Sequence, residues 1–323
     1  MSYKIEVLPS GVSFKSDKNL LDDAISQSTP LEHSCKTGEC GVCSAELVTG
    51  SVQNEHGDIV TEGRVLTCQS KALSDVTLKA NYYPELAHIK ACTLPCKVSD
   101  VVYPTDDIVV LTLRVPPTAK FDYLPGQYID LSFKGVKRSY SIANAMAGTK
   151  ELELHIRQVP DGKMSELLFG QVKENQLMRL EGPKGTFFLR GNNKPIIMLA
   201  TGTGIAPIKA MVEQLVIAEN RREVFIYWGM RFENELYCRE LENMSACYQH
   251  IHFFPVLSRE TNWGGRKGYV QDVVCNQFPS LEHYEVYACG ALDMINDAKN
   301  KFLNRNLPKD AFHSDAFTPA KTN

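Results

Sequence analysis

Apolar and polar residues alternate through the first two thirds of the chain, and continuous apolar runs replace that alternation in the last third. Near the start, Tyr3, Ile5 and Val7 alternate with polar neighbours, and the pattern predicts strands over residues 4–8, 45–52 (turning at Thr49–Gly50) and 76–83. A helix is predicted over residues 19–27, with Ser16 or Asp17 as its cap. A few strands wrapped on one helix is a β-grasp pattern. From Cys96 to Gly191 the texture is almost all strand: Val109, Leu111, Leu113 and Val115 alternate, as do Leu152, Leu154 and Ile156. Turn residues at Pro116–Pro117, Pro125–Gly126, Gly148 and Pro160–Asp161–Gly162 separate these runs, and one helix is predicted over residues 165–171. That suggests a small antiparallel β-barrel. Beyond Lys194, apolar runs at 196–200, 224–228, 252–257 and 286–289 alternate with helical stretches, which implies a parallel sheet. The expected organisation is multidomain, α+β followed by α/β: a domain over 1–83, a linker over 84–95, a barrel over 96–191 and a parallel-sheet domain over 192–323.

Composition narrows the function. A chain of 323 residues with 43% hydrophobic and 23% charged residues can bury several cores, and a net charge of −3 offers no basic stripe for nucleic acid. No apolar segment follows Met1, and the stretch from Ile196 to Val212 is broken by glycines and Pro207, so no membrane span is expected. Ten cysteines are present. Six of them (Cys92, Cys96, Cys238, Cys247, Cys275, Cys289) are scattered, which fits unpaired thiols in a reducing, cytoplasmic compartment.

The other four carry chemistry. Cys35, Cys40 and Cys43 read C-x4-C-x2-C, and Cys68 follows at a distance. This is the spacing of plant-type ferredoxins, which hold one [2Fe-2S] cluster: each iron takes two protein sulfurs and two bridging sulfides. Gly38 and Gly41 let such a loop fold back with its amides towards sulfur. Structural zinc sites usually use paired C-x2–4-C knuckles, and the first gap here is too asymmetric for that. The reading is a protein that moves single electrons.

In the barrel segment, Arg138, Tyr140 and Ser141 place a cation, an aromatic ring and a hydroxyl on one short strand. Residues two apart share a face, so Arg138 and Tyr140 can address one ligand, the arginine suiting a pyrophosphate and the tyrosine a flat ring. Gly162 and Ser165 open a helix whose N-terminus suits phosphate, and His155 and Arg157 are taken as further cofactor contacts. In the last segment, Gly202, Thr203, Gly204 and Pro207 follow a strand and open a helix, the setting in which amides meet a dinucleotide pyrophosphate. Glu235 is placed to bond ribose hydroxyls and repel a 2′-phosphate, favouring NADH, while Arg231 pulls the other way. Cys289 and Gly290 end the last core strand, where ligands bind in open α/β sheets, and the chain closes with Asp315-Ala316-Phe317, an aromatic end able to cover a flavin.

Taken together these motifs resemble the ferredoxin–NADP⁺ reductase superfamily in the variant with an N-terminal ferredoxin domain, over essentially the whole chain. The resemblance implies that Arg138, Tyr140 and Ser141 bind FAD, that Gly162 and Ser165 meet its phosphates, and that Gly202 to Pro207 form the pyridine-nucleotide loop. It also implies that Ser141, Cys289, Asp315 and Phe317 lie along the hydride path; this chain departs by running six residues past Phe317. The stretches NYYPEL (81–86), LRVPPTAK (113–120), GQYIDL (126–131), RSYSIANA (138–145) and SDAF (314–317) resemble the CDP-6-deoxy-Δ3,4-glucoseen reductases. That family implies NADH as donor and a pyridoxamine-phosphate-dependent dehydrase of 3,6-dideoxyhexose synthesis as acceptor, met by transient contact of a monomer. The nearest alternative is the reductase component of a Rieske dioxygenase or di-iron hydroxylase; a zinc-binding structural module is a different class.

Overall fold

The computed structural model describes residues 2–146, 148 and 150–317, and these form two compact units, residues 1–90 and 91–323. The first contains β1 (Tyr3–Leu8), β2 (Val12–Ser16), α1 (Leu20–Ser26), β3 (Ser44–Thr49), β4 (Val52–Gln53), β5 (Ile59–Val60), β6 (Gly63–Leu66), β7 (Lys71–Ala72) and β8 (Val76–Lys79). The main sheet runs β2-β1-β8-β3-β6, and a small second sheet runs β5-β4-β7. Alternation in β1 and β8 puts Ile5, Val7, Val76 and Leu78 on the face that α1 covers with Leu20, Leu21 and Ala24, all buried.

The expected cap of α1 is corrected. Asn19, and neither Ser16 nor Asp17, caps the helix: its Oδ1 accepts from the amides of Leu21 and Asp22. Ser16 and Asp17 instead donate, with Lys18, to the Asp23 carboxylate, which reaches back from the first turn. Asn19 also gives its Nδ2 to the Cys68 carbonyl at 2.6 Å, so the helix start is fixed to the fourth cysteine of the motif.

The second unit begins with a six-stranded antiparallel sheet ordered β12-β11-β14-β9-β10-β13. Its strands are β9 (Cys92–Thr105), β10 (Ile108–Arg114), β11 (Tyr128–Phe133), β12 (Val136–Ser141), β13 (Glu151–Arg157) and β14 (Leu177–Lys184), with α2 (Lys163–Gly170) between the last two. A bridge between Ile142 and Leu154 curls the two edges towards each other into a half-barrel. β9 starts inside the stretch read from sequence as linker: Cys92 pairs with Gly182 and Pro95 with Arg179. β13 breaks strict alternation, since Leu154, His155 and Ile156 are all buried; its outer face is covered by the remainder of the unit.

That remainder is a sheet of parallel neighbours ordered β18-β17-β16-β15-β19-β20. In chain order it comprises β15 (Ile196–Thr201), α3 (Ile205–Ile217), β16 (Val224–Met230), α4 (Glu240–Cys247), β17 (Ile251–Leu257), β18 (Arg266–Lys267), α5 (Val270–Gln277), β19 (Glu285–Ala291), α6 (Leu292–Leu303) and β20 (Phe312–Phe317). Strands covered on both faces read as unbroken apolar runs, and Ile196 to Ala200 are all fully buried. The order reverses between β15 and β19, which places a crevice at their carboxyl ends. The closing segment, expected only as an aromatic end, is a full strand beside β19, with Asp315 opposite Cys289.

At the opposite end of this sheet a buried ion network ties the 186–195 connector to the strands. Arg222 bonds the carbonyls of Lys194 and Arg190 and pairs with Glu285 at 3.4 Å, while Asn192 and Tyr287 also donate to Glu285. Burial pushes the Glu285 carboxyl up, but His313, Tyr287 and Asn192 more than offset this and hold it at about 2 against an ordinary 4.5. A carboxyl lowered on folding stabilises fully above its unfolded value, and that contribution is lost as pH falls from about 4.5 towards 2. Glu285→Gln is therefore expected to cost about 3 kcal/mol at neutral pH by leaving Arg222 buried without its counter-charge. It should also flatten the acid limb of stability below pH 4.5, read by denaturation with tryptophan emission.

Candidate functional site: three cofactor cradles

The cysteine loop is held by its own backbone. Lys36, Gly38 and Gly41 take positive φ, letting the loop reverse twice between Cys35 and Cys43. The amides of Thr37 and Cys40 point at Cys35 Sγ at 3.3 and 3.5 Å. Thr67 donates both its amide and its hydroxyl to the Cys43 carbonyl, which brings Cys68 Sγ to 3.1 Å from Cys43 Sγ. The thiols act in two pairs. The Cys40 side chain holds Cys35 well below the usual thiol range, and Cys68 pushes Cys43 up while being drawn down itself. Among the described residues, no three His, Cys, Asp or Glu side chains converge on one point as a mononuclear site needs. Two sulfur pairs are the donor set of a two-iron cluster, with one pair per iron.

On the half-barrel, Arg138 and Tyr140 lie on one face of β12 and are partly exposed, while Ser141 is buried. Burial raises the Tyr140 phenol and Arg138 partly counters it, so the ring is a neutral, flat contact flanked by a cation. Gly162 stands at the N-cap of α2, whose first amides have no side-chain cap. A Cβ there would meet the Val159 carbonyl at 2.9 Å. Ser165 Oγ accepts from the Val159 amide at 2.8 Å, turning the loop into the helix. Cation, ring and open helix end fit a flavin dinucleotide.

The third cradle lies at the sheet reversal. Gly202 has φ +57°, and Gly204 is so tight on β19 that a Cβ would lie 2.3 Å from the Cys289 carbonyl. Gly290, at φ +135°, approaches Thr201 equally closely. Pro207 sits in the first turn of α3, where no donor is needed. Arg157 reaches this turn from β13: its Nη1 would be 3.7 Å from a Cβ on Gly202, its Nε pairs with the Asp107 carboxylate at 3.2 Å, and its Nη2 is buried without a hydrogen bond. Thr203 stands between the two glycines on the same short turn.

Of the remaining candidates, Glu235 and His155 are engaged by the protein itself. Glu235 Oε2 accepts from the amides of Arg231 and Phe232, so the carboxylate closes its own turn. Beside it opens a cavity of about 580 Å³ lined by Phe232, Glu233, Asn234, Arg239 and Glu260. Cys289 is fully buried, and burial, then Asp315, pushes its thiol well up. Phe317 is 39% exposed at the end of β20; the residues beyond it lie outside those described. Both ring nitrogens of His155 are engaged within the protein, by Glu153 at 2.7 Å and the Tyr237 hydroxyl at 3.1 Å. Sequence reasoning missed Asn19, Glu153, Lys209 and Tyr237, none of which stands in a motif.

Iron–sulfur loop, flavin face and nucleotide turn in this order define an iron–sulfur flavin oxidoreductase. The chain matches the families described as 2Fe-2S iron-sulfur cluster binding domain over residues 5–73, Oxidoreductase FAD-binding domain over 95–189 and Oxidoreductase NAD-binding domain over 198–300. It is 46% identical to a CDP-6-deoxy-L-threo-D-glycero-4-hexulose-3-dehydrase reductase of Yersinia pseudotuberculosis, covering 99% of this chain and 100% of that protein. It is 47% identical to Protein RfbI of Salmonella typhimurium, covering 98% and 97%. The reductase component of propane 2-monooxygenase from Mycolicibacterium smegmatis is 34% identical, covering 98% and 97%. Among solved structures, the Amycolatopsis cytochrome P450 reductase GcoB shares the fold with a TM-score of 0.79 at 24% identity, covering 98% of this chain and 99% of that one. The chain belongs to the family of CDP-6-deoxy-hexulose-3-dehydrase reductases. Its cofactors are a [2Fe-2S] cluster, a flavin and a nicotinamide nucleotide, and none of its described helices is long and apolar enough to cross a membrane.

Proposed function

We propose that this protein takes electrons from NADH and delivers them singly to a pyridoxamine-phosphate-dependent CDP-4-keto-6-deoxyglucose 3-dehydrase, in 3,6-dideoxyhexose synthesis. The observation that carries this reading is the 46% identity, end to end, with a reductase named for that dehydrase, against 34% for the monooxygenase reductase. Bound flavin supplies the exchange between hydride transfer and single-electron transfer. The chain's own work is placement. The Gly202 turn and Arg157 would hold the nucleotide's phosphates, Arg138 and the α2 N-terminus those of FAD, Tyr140 would pack on its ring, and Ser141 would share a hydrogen bond with it. Cys35, Cys40, Cys43 and Cys68 bind the irons. Buried Cys289, with Asp315 beside it on β20, would face the nicotinamide, and Phe317 would cover the flavin. The acidic turn of Glu233 and Glu235 disfavours a 2′-phosphate, which points to NADH over NADPH. We read the protein as a cytoplasmic monomer that meets its acceptor transiently, and its six cysteines outside the cluster loop, none of them disulfide-bonded, fit a reducing compartment.

The test is anaerobic NADH consumption by the holoenzyme with purified acceptors. The dehydrase, loaded with its cofactor and the CDP-4-keto-6-deoxy sugar, should accelerate NADH oxidation and yield the 3-deoxy product. Acceleration by an oxygenase component once oxygen is admitted, and none by the dehydrase, would transfer the protein to the alternative pathway.

A further inference from the structure

A line of buried contacts runs from the flavin half-barrel to the nucleotide turn, and the reaction as described does not use it. Glu153 and His155 are two apart on β13 and share its outer face. Glu153 accepts from Lys209 of α3 at 3.1 Å, and Lys209 also pairs with Glu213 at 2.7 Å and bonds the Ala143 carbonyl. Glu213 accepts from the Ala145 amide. Burial opposes charge on Lys209, but the two carboxylates outweigh it and hold the ammonium well above its usual range. One cluster thus fixes both the exit of the flavin strand, just past Ser141, and the helix that follows the nucleotide turn.

The line continues from His155. With Glu153 accepting at Nε2, Nδ1 is left to accept from the Tyr237 hydroxyl. Tyr237 meets His155 and Trp228 edge-on, with ring centroids at 5.4 and 5.3 Å. Trp228, 1% exposed, then donates Nε1 to the carbonyl of Gly202 at 2.9 Å. Apolar packing alone would not need these polar atoms, because phenylalanine at position 237 would fill the same space. What the hydroxyl adds is a directed bond that fixes the Tyr237 ring to His155 of β13, and that ring in turn backs the Trp228 indole that holds the Gly202 carbonyl.

We propose that Glu153, His155, Tyr237 and Trp228 form a clamp that sets the Gly202 turn in register with the flavin barrel, making Tyr237 a positioning residue for the pyridine nucleotide. The proposal rests on the Gly202 turn being the nucleotide site. The chain has two tryptophans, so a Trp263→Phe holoenzyme leaves Trp228 as sole reporter, and ADP-ribose serves as a redox-inactive probe.

ADP-ribose should shift Trp228 emission to saturation. Tyr237→Phe in that background should weaken ADP-ribose binding by about three- to ten-fold, the worth of one buried hydrogen bond. The KM for NADH should rise by the same factor, with kcat and flavin content unchanged. His155→Asn, which cuts the link from the other side, should give a similar loss, and the double variant no more than either alone; it decides the matter if Tyr237→Phe does not fold. Unchanged affinity and KM with only a lowered melting temperature would overturn the clamp. So would ADP-ribose binding seen by calorimetry without any change in Trp228 emission. Failure of the unaltered protein to bind ADP-ribose would instead remove the nucleotide site itself, and the clamp with it.

Discussion

Cys68→Ser is expected to strip the iron–sulfur cluster while leaving the flavin in place, so that NADH still reduces ferricyanide but transfer to a protein acceptor falls to background. Cys68 and Cys43 stand as one pair at 3.1 Å, and Cys35 with Cys40 as the other. Each iron depends on two protein sulfurs. A serine hydroxyl is a far weaker acid than a thiol and remains protonated near neutral pH, so the second iron would keep one anionic ligand. The remaining pair cannot hold both metals. The loss should be confined because residues 1–90 form their own compact unit. Iron and sulfide counted per chain, with flavin measured on the same sample, check the result; full iron content in the variant would sink the pairwise assignment.

Gly204→Ala is expected to be among the most damaging single methyl groups in the nucleotide domain. The added Cβ would stand 2.3 Å from the Cys289 carbonyl oxygen, 2.6 Å from its carbon and 2.9 Å from the Gly290 nitrogen. All three are backbone atoms of a fully buried strand, so no side chain can swing aside. Relief requires α3 to move away from β19, which carries the phosphate-binding turn with it. Overpacking of this kind costs about 3 kcal/mol, and nucleotide affinity should fall with the displaced turn. Gly191→Ala is the control, since nothing lies within 4 Å of its Cβ position. Denaturation midpoints and NADH affinity of the two variants should separate clearly; equal behaviour would mean that the turn is not built on that contact.

The chemistry was legible in the sequence where the spacing of residues along the chain itself imposes it. Three cysteines in nine residues have to form one loop, and glycines after an apolar run have to open a helix. Alternation likewise announced β1 and β10, because each has one face on a core. What stayed hidden depends on partners distant in sequence. Asn19 caps α1 because the Cys68 loop receives its amide; Ser16 and Asp17, equally plausible by type, are claimed by Asp23. Glu235 has the character of a ribose ligand, and its Oε2 also accepts from the amides of its own turn, a tie that the sequence does not show. Nothing local distinguishes His155 as part of a cluster with Glu153 and Tyr237, since Tyr237 lies 82 residues away. Cys92 to Pro95 looked like linker because half of a long strand carries little alternation of its own; pairing with β14 reveals it.

The place of β20 has a consequence for how the molecule is made. It lies against β19, a strand buried along nearly its whole length, and it is assembled by the ribosome after every other described strand. The iron–sulfur unit and the half-barrel can therefore close during translation, whereas the nucleotide domain waits for the chain's last described segment. Until Phe312–Phe317 arrives, β19 presents an open apolar edge, the kind that templates unwanted pairing with another chain. A nascent chain stalled in that window is the form of this protein most in need of a chaperone.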